Sequence, residues 1–154
     1  MEWKKGILQE IEWNGTIKNL EDKQKIAKKN AARVKEGDVI GFGSGSTSYL
    51  ATIEIAERVK KEGLNIIAIP TSHEITMLCN QLGLVTSTLM QKKPDWCFDG
   101  ADEVNSKNWL VKGRGAAMFK EKLNIANSKE NYILVDDSKF VENLCDKFPI
   151  PIEV

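Results

Sequence analysis

Two segments that lie close together in the sequence combine acids, a lysine and glycines. Asp99-Gly-Ala-Asp-Glu103 comes shortly before Lys112-Gly-Arg-Gly-Ala-Ala-Met-Phe-Lys-Glu-Lys122. Buried carboxylates beside an ammonium group can exchange protons near neutral pH, and the amides of a glycine turn can hold substrate oxygens. This combination of residues suits proton transfer on a small polyol.

Within these segments, Asp99 and Asp102 are separated only by Gly100 and Ala101, so a tight turn can aim both carboxylates into one site. Two carboxylates held this close raise the pKa of one of them. The structural alternative is that either aspartate caps a turn, which is the commoner role of an isolated Asp near Gly. We expect the next residue, Glu103, to lie at the surface.

Lys112 and Glu121 are the other two candidates for chemistry. Lys112 ends a short apolar segment, where its ammonium can stabilise negative charge that develops on an enediolate. Glu121 falls in a predicted helix with apolar neighbours that can pack around it. The alternatives are a solvated surface lysine and a surface glutamate paired with nearby lysines.

A glycine-rich turn, Gly41-Phe-Gly-Ser-Gly-Ser-Thr47, precedes a predicted helix. Backbone N–H groups that converge at a helix N-terminus favour phosphate, and the hydroxyls of Ser44, Ser46 and Thr47 add donors. A purely structural turn with a Ser or Thr N-cap needs the same residues, so the pattern supports both interpretations equally. It lacks the lysine of a P-loop and the glycine spacing of a dinucleotide-binding loop.

The length and composition of the 154-residue chain favour one soluble domain. Basic and acidic residues number 22 each, which leaves no bulk positive charge to attract nucleic acid. The three cysteines are widely spaced and His73 is the only histidine, so we expect no histidine-based or cysteine-based metal site and a structural or surface role for His73. Carboxylates alone can hold a magnesium ion, but such sites usually borrow phosphate oxygens from the substrate, and we expect none here. Without a membrane-spanning run or a secretory signal, the expected location is the cytoplasm.

Apolar runs alternate with helical patterns along the chain. The predicted strands are 38–43, 65–70, 95–99 and 132–136, and the predicted helices are 46–62, 72–82 and 116–127. Such alternation predicts a parallel sheet covered by helices, with ligands at the carboxyl ends of the strands. The motifs described above all follow or end predicted strands, so one pocket can gather them.

Taken together, the three motifs occur in the order found in ribose-5-phosphate isomerases of the A type, and residues from about 20 to 154 resemble that family. The resemblance implies a Rossmann-like, mostly parallel sheet with helices on both faces in a domain spanning residues 21–154. It also implies a cofactor-free aldose–ketose isomerase that interconverts ribose 5-phosphate and ribulose 5-phosphate. The family has a smaller C-terminal α+β domain, which we expect this chain to lack.

The resemblance also implies roles for individual residues. Asp99 and Asp102 would assist ring opening and move hydroxyl protons, Glu121 would be the general base, and Lys112 would stabilise the enediolate. The implied substrate-binding residues are Ser44, Gly45, Ser46, Thr47, Gly100, Ala101, Gly113, Arg114, Gly115 and Lys139. Lys23, in the first matched helix, can add positive charge near the phosphate, but we expect it to be one of several solvated lysines on that helix.

Arg114 departs from the family, which has three glycines after the lysine. An arginine is strained if this position needs positive φ, whereas with negative φ it can point to solvent or contact a phosphate. The alternatives to the isomerase are therefore an isomerase for a different sugar phosphate and a sugar-phosphate-binding relative without turnover. A split enzyme completed by a partner chain is a third possibility.

Residues 1–20 fall outside the resemblance and are predicted to form a helical N-terminal extension. Trp3, Ile7 and Ile11 recur at the spacing of an amphipathic helix. We expect this stripe to cover an apolar patch or to form a homodimer interface.

Overall fold

The structure, a computed structural model, describes residues 12–152. Its elements in chain order are α1 (Leu20–Ala31), β1 (Val39–Phe42), α2 (Gly45–Glu62), β2 (Ile67–Pro70), α3 (His73–Gln81), β3 (Val85–Thr86), β4 (Trp96–Gly100), β5 (Glu103–Val104), β6 (Leu110–Val111), α4 (Met118–Asn127) and β7 (Glu130–Leu134). A single 3₁₀ turn, Asp137–Lys139, follows β7. No helix within the described residues is long and apolar enough to span a membrane.

Five of the strands form one sheet in the order β3-β2-β1-β4-β7, and every neighbouring pair is parallel. The central strand β1 pairs Ile40 with Ala68 of β2 and with Trp96 of β4. The short strands β5 and β6 form a separate antiparallel pair. The predicted parallel sheet is confirmed.

Helices cover both faces of this sheet. The chain moves from β1 to β2 to β3 in one direction but from β4 to β7 in the other, so right-handed crossovers place α2 and α3 on one face and α4 on the opposite face. On the first face, Ile40, Phe42 and Phe98 belong to the main hydrophobic core, which also includes alanines and isoleucines of α1 and α2. On the second face, Asn124 of α4 donates to the Ile69 carbonyl oxygen at 2.8 Å. The predicted Rossmann-like arrangement is therefore confirmed.

The structure differs from the sequence-based predictions near the N-terminus and at element ends. Residues 12–19 form turns and irregular backbone, so the predicted helical extension does not include them. The apolar stripe at residues 3, 7 and 11 lies outside the described residues. Helix α4 begins at Met118 and not at residue 116 as predicted, because Ala116 has a left-handed φ of 53°. The last strand is 130–134 instead of 132–136.

Candidate active site

The candidate active site lies at the carboxyl ends of β1 and β4. The connections that leave these adjacent strands lead to helices on opposite faces, which opens a crevice where α/β sheets commonly bind ligands. The resulting cleft has a volume of about 610 Å³. All fourteen residues predicted for catalysis and substrate binding line this cleft, whereas His73 does not. The structure thus brings the predicted residues together, and their individual roles stay predictions.

At the centre of the cleft, the ammonium of Lys112 contacts two buried carboxylates. Its Nζ lies 2.9 Å from Oδ2 of Asp99 and 3.3 Å from Oε2 of Glu121. It also donates to the Gly100 carbonyl oxygen at 2.5 Å. The side chains of Asp99 and Glu121 are only 3% and 5% exposed, so this charged cluster is largely withdrawn from water.

Burial changes the proton affinity of both carboxylates. Burial, followed by the negative charge of Asp99, raises the pKa of Glu121, and the ammonium of Lys112 opposes this change. Burial also raises the pKa of Asp99, against the effect of Lys112 and of the Gly100 N–H, which donates to Oδ1 at 2.8 Å. Because Lys112 lies closer to Asp99, Glu121 is the carboxylate better placed to take up a proton.

The elements that carry these groups explain why they meet. Asp99 is the fourth residue of β4, and Glu121 lies in the first turn of α4. The positive end of the helix dipole favours a carboxylate in that turn. Lys112 directly follows β6, whose pairing with β5 places it opposite the segment containing Asp102. A strand end, a helix start and a hairpin therefore converge on one cluster.

Asp102 and the glycine turn form the next part of the cleft wall. The N–H of Asp102 donates to the Val111 carbonyl oxygen at 2.7 Å, and its Oδ2 accepts from the N–H of Arg114 at 3.2 Å. Gly113 has a φ of 110°, which favours glycine, whereas φ of Arg114 is not positive. The arginine is therefore accommodated without strain, and its guanidinium lies 5.2 Å from the ring centre of Phe148.

The opposite end of the cleft is formed by the N-terminus of α2. Its N-cap residue, Ser44, makes no side-chain cap, because its hydroxyl instead hydrogen-bonds that of Thr71 at 2.7 Å. The hydroxyl of Ser46 accepts from Nζ of Lys23 at 2.8 Å. Uncapped N–H groups, hydroxyls and an ammonium at a helix N-terminus are the groups that bind phosphate.

Lys139 lines the same end of the cleft as Lys23. Its 3₁₀ turn is capped by Asp136, which accepts from the Ser138 N–H at 3.0 Å and from the Asn19 side chain at 3.1 Å. Burial, followed by the charge of Lys139, lowers the pKa of Lys23, while Asp136 opposes this shift. The two lysines are thus close enough to act on each other and on one anion.

Comparison with known proteins identifies the family to which this arrangement belongs. The family model for ribose 5-phosphate isomerase A (phosphoriboisomerase A) matches residues 67–154, more than half of the chain. The chain belongs to the ribose 5-phosphate isomerase A family. The predicted resemblance is therefore confirmed.

Two members of the ribose 5-phosphate isomerase A family show the extent of the similarity. The chain is 43% identical to the protein from Methanocaldococcus jannaschii over 139 residues and 42% identical to ribose-5-phosphate isomerase A 1 from Oceanobacillus iheyensis. These alignments cover 90% and 88% of this chain. The chain spans 62% of the length of each of these two relatives.

Solved structures of ribose 5-phosphate isomerases share the fold. The structure from M. jannaschii superimposes with a TM-score of 0.83 at 42% identity, covering 85% of this chain and 59% of that one. A D-ribose-5-phosphate isomerase in complex with phospho-erythronic acid gives a TM-score of 0.78 at 37% identity, covering 84% and 58% of the two chains.

Two residues of this family member have surroundings that the sequence analysis missed. Lys23 was expected to be solvated, but it is only 7% exposed and lines the cleft. Glu103 was expected at the surface, but it is completely buried and accepts backbone hydrogen bonds from Cys145, Lys147 and Phe148. No local sequence pattern marks either residue, because the burial of both depends on contacts with distant segments.

Proposed function

We propose that this chain carries the active site of a ribose-5-phosphate isomerase, which interconverts ribose 5-phosphate and ribulose 5-phosphate. The observation that carries the proposal is the position of Lys112 between Asp99 and Glu121, in a cleft whose other end is suited to phosphate. Membership of the ribose 5-phosphate isomerase A family supports it.

In the proposed reaction, the α2 N-terminus, Lys23 and Lys139 hold the phosphate of the substrate. Asp99 and Asp102 assist opening of the sugar ring by moving hydroxyl protons. These assignments use the two ends of the cleft for different tasks. The phosphate end fixes the position of the substrate, and the carboxylate end acts on C1 and C2.

The isomerisation itself is a proton transfer between neighbouring carbons. The carboxylate of Glu121 removes the proton from C2 of the open-chain aldose. The C–H electron pair forms the C1=C2 bond of a cis-enediolate while the π pair of the C1=O bond moves to O1. Lys112 and the N–H groups of residues 113–115 stabilise the negative charge on the oxygens. A hydroxyl proton passes between the two oxygens, and Glu121 returns its proton to C1 to give the ketose.

The test is the rate of ribulose 5-phosphate formation from ribose 5-phosphate by the purified chain in the presence of a chelator. We expect turnover that falls by at least about a hundredfold in Glu121→Gln. Binding of sugar phosphate should be largely kept in this variant. Glu142→Gln, at an exposed position, is the matched control.

Each outcome distinguishes between candidate functions. Normal turnover in Glu121→Gln removes Glu121 as the base. Binding without turnover in the unmodified chain supports the sugar-phosphate-binding relative or a split enzyme completed by a partner. Turnover of another sugar phosphate in place of ribose 5-phosphate supports an isomerase for that different sugar phosphate. The homodimer stays a prediction, which molecular mass in solution would check.

A further inference from the structure

The carboxylate of Glu103 is completely buried and bound by three backbone N–H groups of one segment. Oε2 accepts from Cys145 at 2.5 Å, and Oε1 accepts from Lys147 at 2.6 Å and from Phe148 at 2.8 Å. Cys145 has a left-handed φ of 73°, and the segment that begins there turns successive N–H groups towards one anion. Burial raises the pKa of Glu103, but the three donors outweigh it and hold the pKa below its usual range.

The segment held by Glu103 also contacts the glycine turn of the cleft. The ring of Phe148 lies 5.2 Å from the guanidinium carbon of Arg114. Further along, Cβ of Pro151 lies 3.3 Å from the place that a Cβ would occupy on Gly113. The segment therefore packs against the turn of residues 113–115, which lines the cleft.

Glu103 is also adjacent to two of the predicted catalytic residues in the β5–β6 hairpin. It directly follows Asp102, and in the β5–β6 pair it lies opposite Val111, the residue before Lys112. Its carboxylate joins the hairpin that carries Asp102 and Lys112 to the segment that supports Gly113 and Arg114. Burial of an unpaired carboxylate is costly, and three backbone N–H donors offset that cost for Glu103. A side chain that only made a surface contact would need neither the burial nor the donors.

We propose that Glu103 is a positioning residue that holds the glycine turn, residues 113–115, in the conformation that stabilises the enediolate. This inference rests on the proposed function. Glu103 acts through Phe148 and Pro151 and does not touch the substrate. The phosphate end of the cleft is built from the α2 N-terminus and Lys23, which belong to distant parts of the chain, and from Lys139, whose neighbour Ser138 accepts from Nζ of Lys147 at 3.1 Å through its carbonyl oxygen.

The test separates the two ends of the cleft by using two probes on Glu103→Gln. The glutamine oxygen can still accept from Lys147 and Phe148, but its NH₂ group meets the N–H of Cys145, so the segment should loosen. We expect kcat and the affinity for phospho-erythronic acid to fall about tenfold or more. Affinity for inorganic phosphate should fall by less than about threefold, because the α2 N-terminus and Lys23 hold the phosphate besides Lys139, and the number of sites per chain should be unchanged.

The phosphate titration measures the number of binding sites per chain, to which only folded molecules contribute. Global unfolding would lower that number, so its result would differ from the expected one. Glu142→Gln is the control for loss of an exposed carboxylate in the same part of the chain. Unchanged kcat and phospho-erythronic acid affinity in Glu103→Gln would overturn the inference. An inactive unmodified chain would instead contradict the proposed function, and the binding measurements would still test Glu103.

Phe148→Ala provides a second variant in case Glu103→Gln does not fold. It keeps the N–H that donates to Glu103 and removes the ring next to Arg114. We expect the same direction of change, with a double variant no worse than Glu103→Gln alone, because both substitutions interrupt one connection. Additive losses in the double variant would contradict a connection through Phe148.

Discussion

The carboxylate of Asp99 occupies the space that a side chain on Gly43 would need. A Cβ built on Gly43 would lie 2.2 Å from Oδ1 of Asp99 and 2.7 Å from its Cα. Real Cβ atoms do not approach backbone atoms so closely, so the two adjacent strands can meet here only with glycine. The position of a predicted catalytic acid thus depends on the absence of a side chain on the neighbouring strand end.

We expect Gly43→Ala to displace Asp99 and to lower kcat by about a hundredfold. Gly83→Ala is the comparison, since Gly83 has a φ of 79° and no atom within 4 Å of its Cβ position. That variant should lose about 1–2 kcal/mol of unfolding free energy while keeping its activity per folded molecule. Thermal melts and kinetics on both variants check this, and full activity of Gly43→Ala would contradict it.

Substitution of Lys112 should change the pH dependence of turnover as well as its rate. Lys112 lowers the pKa of Glu121, so Lys112→Met should raise that pKa further. The base must be deprotonated, hence activity is lost as pH falls through its pKa, and the acidic limb of kcat/KM should move to higher pH. We also expect kcat/KM to fall by about 10²–10³-fold.

Profiles of kcat/KM against pH for the unmodified chain and Lys112→Met make this measurement. Lys122→Met is the control, because Lys122 is an exposed lysine of α4. An acidic limb at the same pH in Lys112→Met would show that Glu121 is not the group that titrates.

Removal of either lysine at the phosphate end should weaken substrate binding more than turnover. A charge-assisted hydrogen bond contributes about 1.5–3 kcal/mol, so Lys23→Met or Lys139→Met should raise KM by roughly tenfold to a hundredfold. We expect kcat to change by less than about threefold. Lys25→Met is the matched control, since Lys25 lies on the exposed side of the same helix as Lys23 and pairs only with Asp22 among the described residues. A fall in kcat at constant KM would disagree with this assignment.

Replacement of Arg114 by glycine should leave the reaction on ribose 5-phosphate almost intact. The contact of residue 114 with Asp102 comes from its backbone N–H, which glycine keeps. We expect kcat/KM in Arg114→Gly to fall by no more than about fivefold, because the backbone N–H is kept and only the contact of the guanidinium with the Phe148 ring is lost. A panel of sugar phosphates checks this, and a change of preferred sugar would show that Arg114 selects the substrate.

The sequence predicted most of the sheet because its central strands are continuous apolar runs bounded by turn residues. It missed β3, β5 and β6, which have two residues each and are too short to show any periodicity. The edge strand β7 begins with the exposed Glu130 and Asn131, which already pair with β4. The apolar run from which the strand was predicted begins only at Tyr132. The ends of such strands are determined by hydrogen bonds to distant segments and not by the types of their own residues.

The candidate site was predicted where local motifs carry it and missed where burial depends on the tertiary fold. Asp99, Lys112 and Glu121 stand in recognisable segments, and the structure brings them together. Lys23 is one of several lysines in α1, and only its contact with Ser46 distinguishes it. Glu103 needs donors from more than forty positions further along the chain, which no local pattern can reveal.

The four predicted catalytic side chains all come from one continuous stretch, residues 99–121, whereas the phosphate end is assembled from separate helices, loops and a turn. The proposed catalytic groups therefore come from a single segment, although their positions also depend on Gly43 and on residues 145–151, and the groups proposed to hold phosphate come from other segments. Mutations at the phosphate-holding groups can therefore adapt the cleft to longer or shorter phosphorylated sugars without replacing a catalytic side chain. This division gives both evolution and protein engineers a route to new substrates without a new mechanism.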